Sequence, residues 1–172
     1  TGGFASQFGE AISRGMGDVR SWRQALRLGA AHARTAKSAR RILDLPDTSI
    51  DLITASMLIS QFEHEPYAYF SRRASELLGP PSVAEEKRLQ GAVESLRTDL
   101  LRTQIDRLGE EIRRLLTPDG RCYLSFEMFH QSDGEDSWFL VAPMVEALGR
   151  LGAVFDFDFE TVPEATATGG FR

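Results

Sequence analysis

A chain of 172 residues is the length of one ordinary domain and can bury a real core. Its composition, 42% apolar and 26% charged, excludes the disordered and collagenous classes, and a net charge of −5 argues against a broad nucleic-acid footprint. No run approaches the ~20 apolar residues that span a bilayer, so no membrane association is expected. The single cysteine, Cys122, cannot form an internal disulfide, which points to a reducing, cytoplasmic setting.

Thr1-Gly2-Gly3 runs into Phe4, Phe8, Ala11 and Ile12 at helical spacing. A glycine-rich turn is therefore predicted to open a helix that Gly15 and Gly17 stop. Asp18 to Trp22 is a short strand candidate, and the Ala-, Leu- and Arg-rich stretch Ala25 to Ala39 reads as helix. Arg34, Lys37, Arg40 and Arg41 cluster near its end, either as solvated helix surface or as a local basic face. Arg41 to Asp44 reads as a short strand or strand end, closed by Leu45-Pro46-Asp47.

Ile50 to Leu58 is a short apolar run bounded by turn residues, the pattern of a buried strand. Glu63 to Tyr67 begins with loop chemistry and passes into a helix ending at Leu78. Gly79-Pro80-Pro81 breaks the chain, and Ser82 with Glu85 fits a capping box. From Val83 to Leu116 apolar residues recur at helical spacing, as one bent helix or two, with Gly109 as a weak interior breaker. Thr117 to Gly120 is a turn leading into a strand from Arg121 to Phe126. Gln131 to Ser137 is a polar loop, Trp138 to Leu151 an amphipathic helix, and Gly152 its stop. Ala153 to Phe159 alternates apolar and acidic residues with period two, a strand with one buried face. A domain over residues 1–160 with a polar tail at 161–172 follows.

Strand, long helical region, strand is the order that places two strands parallel in one sheet. Open parallel sheets bind ligands beyond the carboxyl ends of their strands, here Thr54 to Phe62 and Phe126 to His130.

Several phrases then coincide. Pro46-Asp-Thr-Ser-Ile-Asp-Leu-Ile53 and Ile112-Arg-Arg-Leu-Leu-Thr-Pro-Asp-Gly-Arg121 stand in that order after a Gly-rich turn and an acid-ended segment. Together they resemble the class I S-adenosylmethionine-dependent methyltransferases. In that family similar phrases introduce the fourth and fifth strands. The resemblance covers about Asp44 to Phe126, and extends to Thr1 to Gly15. It implies a Rossmann-like three-layer sandwich with a mostly parallel sheet, incomplete at the N-terminus, with a helical insertion at about 71–100 between those strands. Thr1-Gly2-Gly3-Phe4 looks like the back half of the family's first glycine motif, so the chain reads as an N-terminally truncated fragment.

By the same resemblance S-adenosylmethionine is the implied cofactor. Thr1, Gly2 and Gly3 would form the turn beneath its methionine part, where the absence of Cβ atoms at the glycines permits close approach. Asp44 would accept from the adenine amino group and Leu45 would pack on the ring. Read from the residues alone, Asp44 is equally a loop or cap aspartate. Thr54, Ala55 and Ser56 would pass beneath the sulfonium, their small side chains leaving room for attack on the methyl group. The pattern departs at the second strand, where the family carries an acid on the ribose hydroxyls. Here Arg23 and Gln24 follow Trp22. Losing such charged hydrogen bonds costs about 1.5–3 kcal/mol each.

Methyl transfer from a sulfonium is a displacement in which orientation alone is worth roughly 7–11 kcal/mol. His64 or Glu63 is the candidate proton acceptor, and Phe62, Tyr67 or Tyr69 the candidate stacking residue, with His64 and Tyr67 the leading pair. The structural alternative leaves His64 exposed and Tyr67 packing a short helix. No metal-ligand spacing joins His32, His64 and His130. The expected acceptor is a small molecule. The alternatives are a non-catalytic binding or scaffold domain of the same fold, and an RNA-directed methyltransferase using Arg34 to Arg41.

Overall fold

The computed structural model describes residues 4–35, 43–56, 62–125, 129–131, 138–140, 142–153 and 155. Helix α1 (Phe4–Gly15) is followed by a 3-10 turn (Met16–Asp18) and helix α2 (Trp22–Thr35). Strand β1 (Ile50–Ser56), helices α3 (His64–Leu78) and α4 (Val83–Leu115) and strand β2 (Leu116–Ser125) come next. A short hairpin of β3 (Phe129–Gln131) and β4 (Trp138–Leu140) leads to α5 (Ala142–Gly152).

Each helix buries a stripe set by its sequence period. Phe4, Phe8 and Ile12 repeat every four residues along α1 and are all buried, as are Pro66, Phe70 and Ala74 along α3. The buried side of α2 is small, Ala25, Leu26, Gly29, Ala30 and Ala33, so neighbouring side chains approach its backbone. A Cβ at Gly29 would lie 3.0 Å from Phe70 and 3.1 Å from Leu96. Full burial of side chains such as Phe8, Phe70 and Leu96 stabilises by roughly 1.5–3 kcal/mol each.

Helix α4 is the spine of the molecule. Ser82 caps it by the reciprocal bonds of a capping box with Glu85, and its 33 residues run unbroken through Gly109. Leu96 and Leu100 join the cluster made by α1, α2 and α3, while Leu101 and Ile105 on an adjoining face join Ala147 and Leu151 of α5. The second cluster is completed by Phe62, Leu124 and Phe155. Ion pairs of Arg102 with Glu146 and of Arg150 with Asp106 bind α5 to α4 from outside.

Strands β1 and β2 are parallel, with Ile53 beside Cys122, Thr54 beside Tyr123 and Ser56 beside Ser125. The register jumps between Ile50, opposite Leu116, and Leu52, opposite Arg121. Thr117 to Gly120 is therefore accommodated as an irregularity inside β2 rather than as a turn before it. Ile53, Ala55 and Leu124 are half-buried, and Leu124 packs on the α4–α5 cluster. The opposite face exposes Leu52 (62%) and Tyr123 (58%) to solvent.

The expected Rossmann-like three-layer sandwich is corrected by this arrangement. The described chain is mostly helical, and its parallel sheet has two strands, β1 and β2. Two early segments expected as strands do not form them where they are described, Arg41 and Ile42 lying outside the described residues. Val19 emerges from the 3-10 turn and is buried inside the helical cluster, and Leu43 with Asp44 belongs to a loop. Trp138–Leu140, expected to begin a helix, pairs antiparallel with Phe129–Gln131, and the helix begins at Ala142. The expected strand at Val154 to Phe159 lies outside the described residues except for Phe155.

Candidate functional site

The carboxyl ends of β1 and β2 lie side by side, and α3 starts eight residues beyond β1, at His64. Thr54 is exposed beside Tyr123 on the solvent face, whereas Ala55 turns to the helical side beside Leu124. Ser56, opposite Ser125, ends the strand. Residues 57–61 and 126–128, which follow the two strand ends, lie outside the described residues.

The chain re-enters the helical layer through a firm clamp. Glu63 accepts from Arg97 Nε at 2.5 Å and Nη2 at 2.6 Å, a bidentate pair whose carboxylate is 15% exposed. Gln104 donates to the Phe62 carbonyl. Glu63 holds the Arg97 guanidinium above its usual range through that hydrogen bonding, so the arginine is charged throughout. Arg97 also sits 5.6 Å from the Tyr67 ring centroid.

His64 and Tyr67, three residues apart on α3, face different surroundings. His64 is exposed. Tyr67 is half-buried against the helical cluster, tilted at 33° to Phe70 with centroids 6.2 Å apart. Burial pushes its hydroxyl above the usual tyrosine range, so it remains a neutral donor at physiological pH. Its neighbours are Arg97, Phe70 and, across a cleft, Trp22.

Asp44 and Leu45 lie at the other end of the strands. The Leu43 amide donates to Glu111 Oε1 at 3.0 Å, and Arg114 donates to the Leu43 and Leu45 carbonyls at 3.0 and 2.7 Å. Thr48 and Ser49 then donate to the Arg114 and Leu115 carbonyls, just where β2 begins opposite Ile50. The length of β1, about 20 Å from its start to its end, separates this loop from Ser56. Thr48 turns the chain with a left-handed backbone, φ 49°.

The set expected around S-adenosylmethionine therefore does not gather as a whole. Thr54, Ala55 and Ser56 share one strand end, Asp44 and Leu45 occupy the opposite end, and Thr1, Gly2 and Gly3 lie outside the described residues. Asp44 and Leu45 do not fit a cofactor seated at the carboxyl ends of β1 and β2. A loop running from a strand end back to the start of the next parallel strand must cover the length of the sheet. Asp44 precedes Ile50 by too few residues for that once Arg114 has tied both to one end.

The residues that organise this region, Glu111 and Arg114, had no part in the expected site. Arg114 lies inside the phrase from Ile112 to Arg121, but its role depends on a loop about 70 residues earlier. The basic cluster is partly described: Arg34 pairs with Asp99 at 3.2 Å. The remaining members, Lys37, Arg40 and Arg41, lie outside the described residues. Cys122 is half-buried on β2, and burial pushes its thiol up, away from the reactive thiolate. Among the described residues no helix is long and apolar enough to cross a membrane. No family model, no curated protein and no solved structure matches the chain.

Proposed function

We propose that this chain takes part in S-adenosylmethionine-dependent methyl transfer to a small-molecule acceptor, at the carboxyl end of β1 and β2. One observation carries the reading: the two phrases that resemble the methyltransferases run into strands that are parallel neighbours, with Ser56 beside Ser125 at their ends. The cofactor would supply an electrophilic methyl group. Thr54 is exposed near the strand end, and the exposed His64 at the start of α3 is the candidate proton acceptor, Glu63 being engaged by Arg97. No role is assigned to Asp44 or Leu45, whose loop is bonded to the opposite end of the strands.

That displacement of Asp44 favours a second reading, a non-catalytic binding domain in which the helical layer is the working part. Calorimetric titration with S-adenosylmethionine and its demethylated product separates the two. The methyltransferase reading expects saturable binding, weakened at least tenfold by Thr54→Arg, about 1.4 kcal/mol. It expects Asp44→Ala to leave the affinity unchanged within about twofold, since that side chain lies at the other strand end. No binding at millimolar ligand rejects the enzyme. A tenfold loss in Asp44→Ala relocates the cofactor to the Arg114 end.

A further inference from the structure

Helices α2, α3 and α4 enclose a second feature, remote in character from the strand ends. A cleft of about 420 Å³ is walled by Trp22, Tyr67, Leu89 and Val93, with Glu86, Lys87 and Gln90 on its α4 side. The volume is within the range of small-molecule sites, roughly 300–1,000 Å³.

Its aromatic walls are fixed before any ligand arrives. The Trp22 indole donates to the Gly79 carbonyl at 3.1 Å, and Gly79 turns the chain between α3 and α4 with φ 78°, a conformation suited to glycine. Tyr67 is held by Arg97 and Phe70. Its hydroxyl has no hydrogen bond to another described residue, although the ring is half-buried. The ordered wall and a neutral donor with no hydrogen-bond partner among the described residues are the elements of a recognition site rather than of a packed interior.

The charges narrow the ligand. Glu86 is near enough to Tyr67 to oppose its ionisation, and Lys87 supplies the opposite sign from the next residue of α4. Arg97 is neutralised by its bidentate bond to Glu63. A simple anion would meet Glu86, a simple cation would meet Lys87, and a wholly apolar molecule would leave both charges and Tyr67 unused. We propose that this cleft binds a zwitterionic small molecule with a flat apolar body, an aromatic α-amino acid being the simplest case. Its ammonium pairs with Glu86, its carboxylate with Lys87, and its ring lies between Trp22 and Tyr67.

The test uses the intact chain and three probes, L-phenylalanine, phenethylamine and 3-phenylpropionate, with calorimetry and the indole N–H resonance of Trp22 as readouts. L-Phenylalanine is expected to bind about tenfold more tightly than either singly charged analogue. Glu86→Gln should weaken L-phenylalanine and phenethylamine by about fivefold to tenfold and leave 3-phenylpropionate unchanged. Lys87→Met should do the reverse for the two analogues. Both side chains are exposed, so neither substitution threatens folding. Equal affinity for all three probes, insensitivity to both substitutions, or no saturation at about 20 mM overturns the proposal. Thr54→Arg should leave L-phenylalanine binding unchanged, so failure at the strand ends and failure here are told apart.

Discussion

Arg114 uses its guanidinium as completely as the group allows. It makes five hydrogen bonds: two to Glu111, one to Asp47, and one each to the Leu43 and Leu45 carbonyls. Hydrogen bonds to the Glu111 carboxylate, and then to Asp47, keep it charged well above the usual arginine range. Glu111 is the buried half of the device, 8% exposed, and also accepts from the Leu43 amide. Removing that carboxylate strands a peptide N–H and two guanidinium arms. Glu111→Leu is accordingly expected to destabilise by about 1–3 kcal/mol, read from the urea midpoint at unchanged m-value. Glu111→Gln, which keeps one acceptor oxygen, should lose less than Glu111→Leu; equal losses would show that packing rather than hydrogen bonding sets the cost. Little of this was legible beforehand, because an arginine and a glutamate three apart on a helix look like a surface pair. What makes them structural is a loop brought back from residues 43–47.

At the scale of elements, most helices were written in local periodicity, and their ends in local chemistry. The Ser82 and Glu85 cap, the stop of α1 at Gly15 and the break at Gly79 all depend on residues within one turn. The strand expectation at Asp18 to Trp22 failed because a short apolar stretch carries no period long enough to separate strand from loop or helix end. Val19 shows the reason, being apolar for the sake of the helical cluster. Packing also gives opposite meanings to two helical glycines. Gly91 is exposed on α4 with open space where a Cβ would go, so Gly91→Ala should stabilise by about 0.5–1 kcal/mol through helix propensity. Gly29 gains the same propensity, but its Cβ would press on Phe70 and Leu96, both fully buried and without room to move. Overpacking of this kind costs about 1–3 kcal/mol, so Gly29→Ala should come out neutral to destabilised by about 2 kcal/mol. Thermal melts of the two variants together check the contrast, and a stabilised Gly29→Ala would mean that α2 can slide away from α3 and α4.

For the whole molecule, α4 connects two cores that have no other described helix in common, one shared with α1, α2 and α3 and one with α5. The first is larger and wholly apolar among its fully buried side chains, whereas α5 adds Ala147 and Leu151 and relies on ion pairs along its outer face. The two halves should therefore respond differently to acid. Hydrogen bonding and attraction from Arg102, with help from Arg150, hold the Glu146 carboxyl below its ordinary value of 4.5. A folded-state pKa below the unfolded one gives stability that is complete above about pH 4.5 and is lost as pH falls through the folded value. The Arg102 pair is largely exposed, so its share is small and screened by salt. It is nevertheless concentrated on the weaker of the two cores. Hydrogen exchange across a series from pH 6 to about pH 3, corrected for intrinsic rates, should show amides of α5 losing protection before those of α1 and α3. Glu146→Gln, lacking the titrating group, should start with less α5 protection at pH 6 and lose less of it on acidification. Simultaneous loss across all helices, unchanged by Glu146→Gln, would show instead that α4 transmits unfolding from one core to the other as a single cooperative unit.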